Sequence, residues 1–247
     1  MSGHSKWSTI KRKKGAADSK RSKIFSKVIK EISISVKESG PDPDGNPRLR
    51  VAIANAKGAN MPKETLQRAI SKAADKDDAS LHEVTYEGYA PHGIAIFIEA
   101  TTDNLQRTVA NVRMIFNKYN GNLGTNGSLG FLFDRKGIFT IQQGTLNFDE
   151  LELDLIDAGA EDITVEDGYI TVVTAMEDFG SMMKKLEELK IEAENAQLQR
   201  ISKETNKLDL DASRKVMKII DAFEDDDDVT NVYHNMEMTD ELLDSME

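Results

Sequence analysis

The spacing of the apolar residues changes within residues 84–119, which have the sequence VTYEGYAPHGIAIFIEATTDNLQRTVANVRMIFNKY. Up to residue 102, apolar residues alternate with others on either side of the segment APHG at 90–93, a pattern typical of two β-strands joined by a turn. Farther along, apolar residues recur every three or four positions, which predicts a helix. The inward residues of that helix are predicted to be Leu105, Val109, Val112, Ile115 and Phe116. A domain that mixes strands and helices is therefore expected here.

The chain between Lys136 and Ser202 predicts a complete βαββαβ unit. Its segments are, in order, the strand KGIFTI, the helix FDELELDLIDAG, the hairpin EDITVEDGYITVVTA, the helix EDFGSMMKKLEELK and the strand IEAENAQLQRI. This order is the split βαβ, or ferredoxin-like, arrangement. Immediately before it, the segment GNLGTNGSLGFLFD at 121–134 predicts a further hairpin.

A second α/β domain surrounds this unit in the sequence. The helix ASRKVMKIIDAFEDD and the strand VTNVYHNME follow the unit. They supply the helix and the strand that the first, incomplete set of elements lacks. We therefore expect residues 136–204 to be inserted into a discontinuous acidic α/β domain formed by residues 79–135 and 205–247.

Residues 1–78 predict a separate domain of three helices. Asn46 is a helix cap before Pro47, and Pro62 precedes the third helix. The buried stripe of the first helix is predicted to contain Ile24, Phe25, Val28, Ile29, Ile32 and Val36. The predicted fold class is therefore α+β, with an N-terminal three-helix domain followed by two ferredoxin-like α/β domains, one inserted into the other.

Charge is divided unevenly along the chain, whose formal net charge is -11. Residues 1–76 contain 18 Lys and Arg against 7 Asp and Glu, whereas residues 77–247 contain 14 against 36. A basic domain of this kind attracts a phosphate backbone. The alternative is that these Lys and Arg residues only solvate helix surfaces. The acidic α/β domains are expected to repel nucleic acid and to offer a docking surface to a basic protein partner.

The segment before the first helix combines aromatic and cationic residues without any acidic residue. These residues are His4, Lys6, Trp7, Lys11, Arg12, Lys13 and Lys14. Cations beside an aromatic ring favour contact with a nucleic-acid strand, with the ring stacked on a base. Burial of Trp7 against the helical bundle is the alternative, because tryptophan is highly buried on average.

Seven motifs give the chain a resemblance to the YebC family, whose members are described as probable transcriptional regulatory proteins. The motifs are GHSKW, KRSKIFSKVIKEI, NPRLR, ANMPK, YEGYAPHGIAI, TDN followed by RT, and GNLGTNGSLGFLF. The resemblance implies a helical first domain and two nested α/β domains. It also implies a cytoplasmic protein that binds DNA and regulates transcription. Relatives in mitochondria are translational activators of cytochrome oxidase, which leaves RNA and the ribosome as an alternative target.

The resemblance implies that nucleic acid is contacted by Gly3, His4, Ser5, Lys6 and Trp7, because these residues match the N-terminal motif of the family. The remaining candidate contacts are Lys11, Arg12, Lys13, Lys14, Lys20, Arg21, Lys23 and Lys27. The match begins at residue 3, so this basic segment is expected to belong to the folded protein and not to a transit peptide. The chain departs from the family pattern at Ala90 and His92, where glycines are usual, and at Ser128, Leu129 and Gly130.

No catalytic residues, cofactor or metal are expected. The glycines of residues 121–130 fit neither a Walker loop nor a dinucleotide-binding fingerprint, so hairpin glycines are favoured over a phosphate cradle. The acidic run 224–228 lacks the alternation of an EF-hand loop, and cysteine is absent. No apolar run approaches the roughly 20 residues of a membrane span. An enzyme or a sensor of small molecules is accordingly the less favoured class of function.

Overall fold

The computed structural model describes residues 18–75 and 81–245. These residues form two compact units. The first unit contains residues 81–134 and 201–245, and the second contains residues 18–75 and 135–200. No helix in the described part of the chain is long and apolar enough to cross a bilayer.

The chain begins with three helices, after which each helix follows one or two strands. They are α1 Asp18–Ser39, α2 Pro47–Gly58, α3 Lys63–Ala74, β1 His82–Tyr89, β2 Ala95–Thr102, α4 Leu105–Lys118, β3 Asn122–Leu123, β4 Phe133–Gln142, α5 Phe148–Asp157, β5 Ala160–Glu166, β6 Tyr169–Ala175, α6 Phe179–Glu188, β7 Ala193–Ser202, α7 Leu210–Glu224, β8 Val229–His234 and α8 Asp240–Asp244.

Asn46 joins the first two helices of the bundle α1–α3. Its side-chain oxygen accepts a hydrogen bond from the Leu49 N–H at 3.0 Å, which caps the start of α2 as predicted. Its amide nitrogen donates to the carbonyl oxygens of Ser35 at 2.7 Å and Gly40 at 2.9 Å. One buried side chain therefore satisfies backbone groups at the end of α1 and at the beginning of α2.

The core of the bundle contains Ile32, Val36, Leu49 and Ala52 together with the inner face of α3. Ile24 is 41% exposed, so its assignment to the buried stripe was wrong. The reason is the position around the helix: Phe25 lies within about 20° of Ile32 and packs against this core, whereas Ile24 lies about 80° from Ile32, at the side of the buried stripe.

The inserted sheet has the strand order β5-β6-β4-β7. This is the strand order of the predicted βαββαβ unit, with α5 and α6 packed on one face over Phe139 and Ile141. The hairpin β5–β6 turns at Asp167 and Gly168, whose φ angles are 51° and 79°. An Asp-Gly pair with two positive φ angles is typical of the tight turn that fits the twist of a hairpin.

The outer sheet has the strand order β3-β1-β2-β8, and α4 and α7 pack against it. The hairpin predicted over residues 121–134 is wrong, because β3 has only two residues and pairs with β1. Strand β1 takes the position that a third strand of a ferredoxin-like unit would occupy. Gly88 permits this pairing, since a Cβ there would lie 2.6 Å from the ring of Phe116.

Leu105 is 46% exposed and not inward as predicted. It is the first residue of α4, directly after the cap Asn104. At this position the helix has not yet come to lie over the sheet, whereas Val112, Ile115 and Phe116 farther along are buried as predicted.

In the second unit, the bundle contacts the inserted sheet through backbone. The Asn55 side chain donates to the Ala196 carbonyl oxygen at 2.9 Å and accepts from the Ala196 N–H at 2.8 Å, so it pairs with the outer edge of β7. Gly58 approaches β7 so closely that a Cβ would overlap the carbonyl oxygen of Glu194. Val51 adds an apolar contact with the core of the inserted sheet. The end of α2 therefore requires glycine for packing.

Gly58→Ala is expected to lower the free energy of unfolding by about 1 to 3 kcal/mol, because the added methyl group forces backbone apart. Gly180→Ala is the matched control, since Gly180 is also helical and has no atom near the position of a Cβ. The control is expected to be neutral or stabilising, as alanine usually is in a helix. Urea denaturation measures both, and equal effects would contradict the close packing at Gly58.

The two ends of the inserted segment lie together. The Lys203 N–H donates to the Leu132 carbonyl oxygen at 3.0 Å, and the Lys203 ammonium lies 3.2 Å from Asp134. On this basis we propose that residues 136–204 are an inserted domain, and that residues 79–135 and 205–247 form one domain without it.

Replacement of residues 135–200 by a short Gly-Ser linker is expected to leave the outer domain folded, because its chain ends are already adjacent. The measurement is cooperative thermal unfolding followed by circular dichroism. Loss of cooperative unfolding, or a disordered spectrum for the shortened protein, would count against the nested arrangement.

Candidate nucleic-acid interface

Nine of the thirteen predicted contact residues, Gly3 to Trp7 and Lys11 to Lys14, lie outside the described residues. The other four, Lys20, Arg21, Lys23 and Lys27, lie in the first turns of α1. Lys23 and Lys27 are partly exposed, and Arg21 is exposed. The structure therefore places the described part of the candidate interface on one helix.

Lys23, Lys27 and Lys30 share one face of α1, since they are three or four residues apart. The buried residues Ile32 and Val36 lie on the opposite side of the helix, against α2 and α3. Arg21 falls outside the lysine face at this spacing. The helix therefore directs a row of ammonium groups away from the core, as a contact with a phosphate backbone requires.

Two arginines of the bundle bind neighbouring groups. Arg48 pairs with Glu31 at 2.8 Å and with Glu38 at 3.0 Å. The guanidinium group of Arg50 donates to the carbonyl oxygens of Pro43 at 2.8 Å and Asp44 at 2.9 Å, which holds the turn before α2. These two arginines stabilise the bundle and have fewer donors left for a ligand.

Three exposed cations were missed by the sequence analysis. Lys57 lies at the end of α2, Lys63 begins α3, and Arg68 lies on the exposed side of α3. None of them pairs with a carboxylate of the described residues. The ANMPK motif could have indicated Lys63, because it places a lysine at the start of a helix.

The glycine-rich loop 124–130 binds a carboxylate of the protein itself. Glu87 is 2% exposed, and its side chain accepts a hydrogen bond from the Gly127 N–H at 2.7 Å and another from the Leu129 N–H. The Gly124 N–H donates to the Glu87 carbonyl oxygen at 2.7 Å. The backbone donors that a phosphate cradle would need are thus directed at Glu87 and are unavailable to a ligand.

Glu87→Ala is expected to lower the free energy of unfolding by about 2 to 5 kcal/mol, because it leaves two N–H groups without their acceptor. Glu87→Gln should cost less, since the side chain keeps its size and one acceptor oxygen. Glu83→Ala, at an exposed position of the same strand, serves as the control. Equal stability of the Glu83 and Glu87 variants in urea would show that the loop does not depend on Glu87.

The acidic run 224–228 is also engaged in the fold. Asp228 accepts hydrogen bonds from Arg107 at 2.9 Å and from the Thr108 hydroxyl at 2.9 Å. The hydrogen bonds to Asp228 and then to Asp103 raise the pKa of Arg107 above its ordinary value. Burial raises the pKa of the Tyr86 hydroxyl, and the charge of Asp228 adds to this. In the described ranges, no three His, Asp or Glu side chains are grouped so as to hold a metal ion.

His92 lies in the turn between β1 and β2 with a φ of 65°. This left-handed region favours glycine, although histidine tolerates it better than most residues. The turn therefore keeps a glycine-type backbone at a position where the sequence has His92.

Comparison with known proteins covers both the bundle and the α/β part. Residues 5–76 match the TACO1/YebC protein N-terminal domain, and residues 81–236 match the TACO1/YebC second and third domain. The chain belongs to the TACO1/YebC family. The motifs that suggested the YebC family from sequence are thereby confirmed as markers of membership.

Curated relatives in the family match over nearly their full length. A probable transcriptional regulatory protein of Amoebophilus asiaticus is 53% identical over 239 residues, which cover 96% of this chain and 98% of the relative. Another, from Chlorobium chlorochromatii, is 48% identical and covers 100% of this chain and 99% of the relative. The crystal structure of a conserved hypothetical protein from Aquifex aeolicus has a TM-score of 0.82 at 40% identity, covering 92% of this chain and 94% of that one. The predicted α+β fold class is confirmed by this likeness.

Proposed function

We propose that this TACO1/YebC family member is a nucleic-acid-binding regulator of gene expression, which contacts DNA through its basic N-terminal domain, residues 1–78. The observation that carries the proposal is the row Lys23, Lys27 and Lys30 on the side of α1 opposite the core. The row continues from a segment with five cations and no acidic residue. The names of the relatives as probable transcriptional regulatory proteins support the same class of function.

In this proposal the protein acts in the cytoplasm, without a cofactor, and has no catalytic role. Binding is mostly electrostatic, since the contacts are ammonium and guanidinium groups directed at phosphates. The acidic α/β part repels the same polyanion, so the bundle approaches the nucleic acid first.

A translation factor that binds RNA or the ribosome is the second candidate. Trp7 among the N-terminal cations favours it, because an aromatic ring stacks on unpaired bases and not on the edges of a closed duplex. Neither candidate requires a change in the assignment of the basic residues.

Replacement of Lys11, Arg12, Lys13 and Lys14 together by Ala is expected to weaken binding and to flatten its dependence on salt. The log-log slope should fall by about 0.7 to 0.9 for each phosphate contact that is lost. The measurement is fluorescence anisotropy with a duplex DNA and a single-stranded RNA across a salt series. Tighter binding of the RNA by the parent protein would favour the second candidate.

The matched control removes four exposed cations from α4 and α7, namely Arg113, Arg214, Lys215 and Lys218. It changes the net charge by the same amount at a different place. Affinity and salt slope should stay close to those of the parent. If both quadruple variants lose affinity equally, binding follows net charge alone and the assignment to the N-terminal domain is wrong.

A further inference from the structure

Helix α5 of the inserted sheet exposes two aliphatic side chains. Leu153 is 70% exposed and Ile156 is 51% exposed, although Leu151 and Leu155 on the same helix are buried. Residues two apart on a helix point about 200° apart. The sequence LELDLI therefore directs Leu153 away from the core that Leu151 and Leu155 enter. The exposure follows from the fold of the helix and not from a loose end.

Acidic residues surround these two side chains. Residues 145–167 contain nine Asp and Glu and no Lys or Arg. Asp149, Leu153 and Ile156 lie at spacings of four and three residues, on one face of α5. Glu152 and Asp157 are exposed on either side of that face. The apolar pair is thus bordered by carboxylates alone.

Two neighbouring cations pair with other carboxylates of α5 and β5, and not with the three that border the apolar pair. Lys185 lies 3.3 Å from Asp154, and Lys136 lies 2.6 Å from Glu161. Asp149, Glu152 and Asp157 form no ion pair with any described residue. A ligand at this face therefore meets three carboxylates whose charge the protein does not neutralise.

Strand β5 is the strand of the inserted sheet against which the buried side of α5 packs. It is the last strand of the order β5-β6-β4-β7, and no described strand pairs with its outer side. Val165 on β5 is 38% exposed, and Glu161 and Asp162 at the start of the strand are exposed. The open edge of the sheet thus also exposes an apolar residue, Val165, and an acidic residue, Asp162.

We propose that α5 and the edge of β5 form a docking surface for a basic segment of a partner protein, one that carries aliphatic residues between its Lys and Arg. The aliphatic residues cover Leu153 and Ile156, which removes apolar surface from water. The cations meet Asp149, Glu152 and Asp157, which sets the orientation of the segment. This surface shares no residue with the proposed nucleic-acid interface, and the inference does not depend on that interface.

The negative charge of this surface favours a basic partner over a second copy of the chain, a nucleic acid or an anionic membrane. In a two-fold dimer of this chain, the same patch would meet itself and bring Asp149, Glu152 and Asp157 against identical carboxylates. Like charges facing each other across an interface are costly. A nucleic acid or an anionic membrane is repelled for the same reason. Among these occupants, only a basic protein segment complements both the aliphatic pair and its acidic border.

The test uses the full-length protein and a fluorescent peptide composed of Lys, Leu and Ala, with anisotropy as the readout. Leu153→Ser combined with Ile156→Ser is expected to weaken binding of this peptide about tenfold, through loss of apolar contact. Thermal unfolding should stay close to that of the parent, because both side chains are exposed. Leu105→Ser with Met114→Ser is the matched control, since these apolar residues are 46% and 59% exposed on α4.

Two further peptides separate charge from apolar contact. A peptide with Ser in place of Leu should bind more weakly to the parent and equally to the two double variants. A peptide with Glu in place of Lys should bind the parent and the Leu153 and Ile156 variant equally, since any contact it makes is with the basic bundle and not with α5. The proposal is overturned if the Leu153 and Ile156 variant binds the first peptide as tightly as the parent, or if the Ser peptide binds as tightly as the Leu peptide. A parent dimer that the same variant converts to a monomer would also overturn it, since the occupant would then be a second copy.

Discussion

The backbone contact between α2 and β7 is the constraint on which the second compact unit depends. Gly58 leaves no room for a side chain beside Glu194, and Asn55 occupies both backbone groups of Ala196 at the sheet edge. Main-chain groups and one amide make this contact, so it does not depend on the charge of either surface. A bundle with 12 Lys and Arg against 7 Asp and Glu is thereby held to a segment, residues 135–200, with 6 against 15.

Opposite charges within one compact unit would be expected to attract and to cancel. Arg48 of the bundle pairs with Glu31 of the bundle itself, and Lys23, Lys27 and Lys30 lie on the far side of α1 from its core. Screening over about 8 Å at physiological salt further separates surfaces that do not touch. Each of the two proposed surfaces therefore keeps an excess of one sign of charge.

Local signals in the sequence predicted most of the helices and strands. Asn46 before Pro47 and the Asp167-Gly168 turn act within a few residues, so their effect is visible without knowing the rest of the fold. The errors arose where tertiary packing, and not the local sequence, determines burial or loop conformation. Ile24 lies at the side of the buried stripe of α1, Leu105 begins α4 before the helix lies over the sheet, and the loop 124–130 folds around Glu87, which is remote in sequence. The position of Lys23 and Lys27 on a helix was predictable from the sequence, whereas the pairing of Arg48 with Glu31 and Glu38 required the packed bundle.

The two proposed surfaces select their ligands partly by repulsion. A polyanion that binds the bundle is repelled by the carboxylates of α5, and a polycation that binds α5 is repelled by the lysines of α1. Discrimination is a difference between affinities, and the unfavourable encounter contributes to it as much as the favourable one. A chain with its charges evenly mixed would attract both ligands weakly at every surface. If both proposals hold, separation of the charges by domain would allow one small protein to bind a nucleic acid and a basic protein partner at the same time.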